Sequence, residues 1–255
     1  MELKIGASKM DAEISEELFA SYKENNIEYI EIDGGSVLKD MGEIKKLSDK
    51  YGVKLWSCHL PFCPFDKIDL SSVNESVRIH TVEYFKTMLD KFEQNGIGKA
   101  VVHPSAEPVK DEQRSLRMAA AKASLQELAE YAKKKKVVVC VEDLPRTCLG
   151  KNSSEIKELI GVHENLKVCF DTNHLLSENP VDFIKNIGYD IITLHVSDYD
   201  FINERHWLPG EGKINWKELI AALDSCGYSG VWMYEVNPEK YLTKFFENAH
   251  TLFKK

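Results

Sequence analysis

Val137-Val138-Val139-Cys140-Val141-Glu142-Asp143 is an unbroken apolar run that stops at two acids, and the pattern recurs along the chain. It returns at Lys167–Phe170 before Asp171, and at Ile191–Leu194 before His195. Working outward, Leu3–Ala7, Tyr29–Ile32, Lys54–Cys58, Ala100–Val102 and Gly230–Tyr234 complete a set of eight strand-like runs. Stretches with helical spacing alternate with them, among them Ile14–Asn25, Val77–Asn95, Glu112–Lys135, Ser154–Gly161 and Trp216–Cys226. Helical stop signals at Asn95-Gly96, Gly188 and Cys226-Gly227 precede the next strands.

Strands that are apolar on nearly every residue fit a parallel sheet buried on both faces. Eight strand–helix units in 255 residues fit an α/β fold, a (β/α)8 TIM barrel, which takes about 250 residues. A doubly wound open sheet would carry a Gly-rich first turn, and Gly6-Ala7-Ser8-Lys9 is no G-x-G-x-x-G. With no linker or low-complexity tract, one domain over residues 1–255 is expected.

Composition narrows the partners. Acidic residues outnumber basic ones by 41 to 33, for a net charge of −8. That balance disfavours nucleic acid and anionic membranes, which need clustered Lys and Arg, but leaves room for a small substrate. Lys133–Lys136 reads as the solvated end of a helix, its charge complementing the helix dipole. Met1-Glu2-Leu3-Lys4-Ile5 runs straight toward a strand, no stretch of about 18 apolar residues occurs, and the six cysteines lack C-x-x-C pairing. A reduced, cytoplasmic protein is expected, with homo-oligomerisation open.

Barrel enzymes place their chemistry at the C-terminal ends of the strands. Here strand two ends in Glu31-Ile32-Asp33. The next six end at His59, at His103, at Glu142-Asp143, at Asp171-Thr172-Asn173-His174, at His195 and at Glu235. His206 falls in the loop after strand seven, whereas His80, His163 and His250 are expected in helices. A single polar residue at a strand end is ordinary. Three carboxylates gathered at one barrel mouth would repel one another unless a cation lay between them. Glu142, Asp171, His195 and Glu235 offer mostly oxygen with one nitrogen, a set suited to Mn²⁺, Mg²⁺ or Co²⁺, with Zn²⁺ tolerated.

The order His59, His103, Glu142, Asp171-x-x-His174, His195, Glu204-Arg205-His206, Gly210-Glu211-Gly212 and Glu235 resembles the xylose isomerase-like barrel superfamily over nearly the whole chain. That group holds sugar isomerases and epimerases, inosose isomerases and dehydratases, and endonuclease IV-type abasic-site nucleases. Its epimerase branch implies one divalent ion on Glu142, Asp171, His195 and Glu235. There, Glu142 and Glu235 also transfer protons, and His174 and an arginine, for which Arg205 is the candidate, touch substrate oxygens. Its nuclease branch implies three zinc ions, with His59, His103, His174 and His206 joining the ligands and Glu204 standing where aspartate is usual.

The first branch implies a metal-polarised carbonyl, an enediolate, and a proton moved by one glutamate and returned by the other. The substrate is then a sugar, sugar phosphate or cyclitol, with His59, His103, His206 and Trp207 near it, core packing being the alternative for Trp207. The rivals are abasic-site phosphodiester cleavage, which the acidic balance disfavours, an inosose-type dehydratase, and a non-catalytic sugar binder.

Overall fold

A computed structural model describes residues 3–10 and 12–254, so Met1 and Glu2 of the N-terminal reading lie outside it. The strands are β1 (Ile5–Ser8), β2 (Tyr29–Asp33), β3 (Lys54–His59), β4 (Lys99–Val102), β5 (Val138–Glu142), β6 (Leu166–Asp171), β7 (Ile191–His195) and β8 (Trp232–Tyr234). Between and after them come α1 (Glu16–Glu24), α2 (Gly34–Tyr51), α3 (Glu75–Asn95), α4 (Arg114–Lys134), α5 (Ser153–Ile160), α6 (Pro180–Ile187), α7 (Trp216–Ser225) and α8 (Pro238–Leu252). The strands pair in parallel in the order β7-β6-β5-β4-β3-β2-β1-β8. A parallel bridge between Val196 and Tyr234 brings β7 to β8 and closes the ring. The chain is a single-domain (β/α)8 TIM barrel.

Alternation along each strand sorts the side chains. One set faces the helices and forms the main apolar layer, with Ile30, Ile32, Val139, Val141, Val168, Phe170 and Leu194 all buried in it. The other faces the barrel axis, where Val101, Cys140 and Cys169 form a small inner cluster. Cys140 and Glu142 therefore share the inner face, as do Cys169 and Asp171. Two register shifts interrupt the pairing: β3 carries an extra Trp56 opposite β2, and β7 an extra Ile192 opposite β6. Such bulges re-aim the residues beyond them, here toward the mouth.

Local chemistry agrees with the boundaries. Ser15, Asn152, Asn179, Asn215 and Asn237 each accept a backbone N–H at a helix start. Gly96 and Gly227 end their segments at positive φ, as the stop signals implied. Gly188 does so differently: its φ is −55°, and a Cβ there would lie 2.8 Å from Cys226 Sγ, so close packing demands the glycine. Asp33, read as a rim acid, caps α2 by accepting from Ser36 N and pairs with Lys9. His163 lies in the turn after α5, not in a helix, and its Nδ1 accepts from Asn165 N. Within the lysine run, Lys133, Lys135 and Lys136 meet Glu164, Asp90 and Glu93. No helix among the described residues is long and apolar enough to cross a membrane, and all six cysteines are free.

The loop after β7 hangs on one carboxylate. Asp198 accepts from Tyr199 N and Ile214 N through Oδ1, and from Gly210 N and Trp216 Nε1 through Oδ2. A Cβ on Gly212 would lie 2.3 Å from Asp198 Oδ1, which explains the glycine in Gly210-Glu211-Gly212. Asp198→Ala leaves these buried donors unpaired and is expected to cost about 3 kcal/mol. In thermal unfolding this appears as a Tm lower by roughly 5–10 °C, and an unchanged Tm would refute the anchoring role.

Candidate metal centre

The barrel mouth opens into a cavity of about 680 Å³, lined in part by Glu142, Glu235, His59, His103, His174 and His206. Asp171 and His195 are fully buried beside them, at the ends of β6 and β7. The four predicted ligands converge: donor atoms of Glu142, Asp171, His195 and Glu235 all lie within 4.8 Å of one another. At their centre is His195 Nδ1, which is 3.0 Å from Glu142 Oε1, 3.4 Å from Glu235 Oε2 and 3.9 Å from Asp171 Oδ2.

Donors held roughly 2.1 Å from a shared ion sit about 3.0–3.4 Å apart, so these separations suit a divalent cation. The hydrogen bonding points the same way. Asp171 Oδ1 accepts from Asn173 N, and its backbone N–H donates to Asp143 Oδ1, while Asp171 Oδ2 and Glu235 Oε2 are buried without a hydrogen-bond donor among the described residues. Buried carboxylate oxygens left unpaired are costly unless a cation meets them. The residues fit a divalent ion.

Two further donor groups flank this one. Glu142 Oε2 is 3.1 Å from His59 Nε2 and 3.3 Å from His103 Nε2, and His174, Glu204 and His206 form a third group. Three of these imidazoles are fixed through Nδ1, which lies 2.9 Å from Leu60 O in His59, 2.8 Å from Asp143 O in His174 and 3.0 Å from Glu235 O in His206. A carbonyl can only accept, so each Nδ1 carries a proton and each ring is held with Nε2 turned away from that carbonyl. Phe62 stacks on His103 with ring centroids 4.6 Å apart and forms an apolar wall.

The electrostatics are those of crowded acids. Burial would raise the Glu142 pKa, but His195 and His103 hold it well below the carboxylate range. Burial drives Glu235 well above that range, with Asp171 and Glu142 adding to the rise. His195 would be lowered by burial, yet its acidic neighbours, Glu235, Glu31 and Glu142 among them, hold it well above the usual histidine value.

Two sequence expectations land elsewhere. Arg205 donates from Nε to Asp200 Oδ2 at 2.8 Å and lies over the Trp207 ring, and neither residue is among those lining the cavity. The arginine that lines it is Arg146, in the loop after β5. Its guanidinium binds both oxygens of Glu107, each at 2.8 Å, and Glu204 Oε1 at 2.6 Å. Sequence reading also passed over Glu31, a fully buried acid whose signal is a charge between Ile30 and Ile32.

The family profile for the xylose isomerase-like TIM barrel matches residues 19–251, and the chain belongs to that family. An uncharacterized protein of Methanocaldococcus jannaschii is 28% identical over 210 residues, covering 76% of this chain and 68% of its own length. Fructoselysine 3-epimerase of Escherichia coli O157:H7 is 28% identical over 85 residues, 31% of each chain. Among solved structures, a D-tagatose 3-epimerase-like protein superposes with a TM-score of 0.82 at 26% identity, covering 98% of this chain and 99% of its own. D-psicose 3-epimerase shares the fold at a TM-score of 0.81 and 18% identity, covering 98% and 96%.

The acids around His195 favour its protonated form, and an ion can bind only after displacing that proton. Affinity of chelator-treated protein for Mn²⁺ is therefore expected to rise with pH between about pH 6 and 9, as the proton becomes easier to remove. Calorimetric titration in buffers of different ionisation enthalpy measures the protons released. A pH-independent affinity with no release contradicts the assignment.

Proposed function

We propose that this chain is a divalent-metal-dependent isomerase or epimerase acting on a sugar, sugar phosphate or cyclitol. The observation that carries the reading is the ring of three carboxylate oxygens around His195 Nδ1, at the floor of a cavity of small-molecule size. The names of the related proteins support it, since the fructoselysine 3-epimerase and the D-tagatose 3-epimerase-like protein are sugar epimerases or resemble one.

Glu142, Asp171, His195 and Glu235 would hold the ion; Mn²⁺, Mg²⁺ or Co²⁺ suits the mostly oxygen set, and Zn²⁺ is compatible. When bound, it supplies polarisation of a substrate carbonyl and the neighbouring hydroxyl. Glu142 and Glu235 reach the cavity from β5 and from the residue after β8, with β6 and β7 between them in the ring. One glutamate takes the proton from the carbon beside the carbonyl and the other returns one. Return to the opposite face of that carbon gives an epimer, and return to the neighbouring carbon an isomer. His59, His103, His174 and His206 present imidazole edges to substrate hydroxyls. Arg146 replaces Arg205 as the arginine at the pocket, where it orders Glu107 and Glu204. The free cysteines fit a cytoplasmic setting.

A second reading, zinc-dependent cleavage of abasic DNA, is favoured by the three adjoining donor groups. Against it stand the net charge of −8 and the engagement of Glu204 by Arg146. Metal analysis separates the two: one ion per chain supports the isomerase, and three zincs with incision of an abasic duplex would replace it.

Glu142→Gln and Glu235→Gln are each expected to lower turnover about 10²–10⁴-fold. The assay is deuterium uptake from D₂O at the carbon beside the carbonyl, across a panel of ketoses and ketose phosphates. Full exchange by either variant refutes the proton-transfer roles.

A further inference from the structure

Glu31 is a carboxylate that the proposed chemistry does not use. Its neighbours on β2, Ile30 and Ile32, belong to the outer apolar layer, so alternation turns Glu31 toward the barrel axis. There it is fully buried and absent from the cavity lining, out of reach of a substrate. A charge in such a place is destabilising unless something specific meets it.

Two groups meet it. Ser57 Oγ donates to Glu31 Oε2 at 2.6 Å. Glu31 Oε1 lies 2.9 Å from His195 Nε2, an ion-pair contact, and neither atom has a hydrogen-bond partner among the described residues. The two bulges create this arrangement. The extra Trp56 brings Ser57 opposite Glu31, and the extra Ile192 brings His195 opposite Asp171. Trp56 Nε1 also donates to Thr193 Oγ1 at 2.9 Å, tying the two bulged strands together across the interior.

We propose that Glu31 is a positioning residue for the metal centre, holding His195 in the tautomer protonated at Nε2 so that the Nδ1 lone pair faces Glu142, Asp171 and Glu235. This rests on the metal-dependent reading above. A neutral imidazole has one N–H and one lone pair, and only the lone pair can bind a metal. A carboxylate facing Nε2 draws the proton there, makes Nδ1 more basic and fixes the ring's rotation. Without it, the proton is free to move to Nδ1, where it would block the nitrogen that the three carboxylates surround.

The test uses the full chain, stripped with a chelator and titrated with MnCl₂ against a chromophoric competitor. Glu31→Leu is expected to lose about 10–100-fold in Mn²⁺ affinity while still unfolding cooperatively. Glu31→Gln, which keeps an acceptor oxygen, is expected to recover most of that loss, a rescue that simple core packing would not produce. A Glu31→Leu protein with wild-type affinity overturns the proposal while leaving the metal reading intact. If the wild type takes up no Mn²⁺ or Zn²⁺, both fall together. A measurement on the wild type covers the case in which Glu31→Leu does not fold. ¹⁵N-histidine NMR of the Zn²⁺-loaded chain is expected to show His195 protonated at Nε2 and metal-bound through Nδ1, and the opposite tautomer overturns the assignment.

Discussion

Three carboxylates and an imidazole held within a few ångströms, with Asp171 and His195 wholly out of water, form an arrangement that Coulomb repulsion opposes. Much of the upper barrel is organised to hold it. Glu142 and Asp171 stand at strand ends and Glu235 directly after β8, so barrel closure fixes where their backbones stand. The Asp171 backbone is gripped by Asp143, its side chain by Asn173 N, and the following loop by Thr172, whose hydroxyl donates to Ser197 O at 2.6 Å. In this position Asp171 Oδ2 and Glu235 Oε2 keep no hydrogen-bond partner among the described residues, and a cation would satisfy them together.

Floor and walls of the cavity are built on different principles. The floor consists of strand ends, and its geometry follows from barrel closure. The walls are loops, each tied down by its own polar anchor. Asp198 gathers the loop after β7, Arg117 pairs with Asp69 at 2.6 Å and donates to Ala106 O beneath the loops after β3 and β4, and Arg146 joins Glu107 to Glu204 across the mouth. A rigid floor with separately anchored walls lets the ion site persist while the walls set which substrate fits.

How much of this was legible in sequence depends on how local each signal is. The strand-end acids and His195 could be read because an apolar run stopping at Glu142, Asp171 or His195 carries its own boundary, and eight such runs define the barrel. The family resemblance makes Arg205 the candidate for a substrate-facing arginine, but direction in that loop is set by Asp200. Its carboxylate accepts from Ile202 N and Asn203 N and captures the Arg205 guanidinium. Arg146 carried no comparable mark, since its role depends on two glutamates far away in the chain. Asp33 is a rim acid, lining the cavity, and also caps α2, a second role that sequence does not separate from the first because capping a helix and ending a strand draw on the same residue type. The inward turn of Glu31 follows from strand alternation, but its partners follow from bulges, and a bulge leaves no trace in a hydrophobic pattern.

Glu142 explains why one barrel accommodates both readings of its chemistry. One of its oxygens faces His195 and the other faces His59 and His103, so it belongs to two donor groups at once. A nuclease-like use of the mouth requires those outer imidazoles, together with His174, Glu204 and His206, as ligands. In this chain Glu204 is already neutralised by Arg146, which also holds Glu107 with both of its oxygens, so the third donor group starts with its only carboxylate engaged. Among the described residues no arginine or lysine pairs with the inner four donors; His195, the basic group among them, must free one ring nitrogen of its proton before it can serve as a ligand. On the proposed reading, the arginine that engages Glu204 and Glu107 at the rim works against a third ion there and leaves the buried inner donors as the site for one.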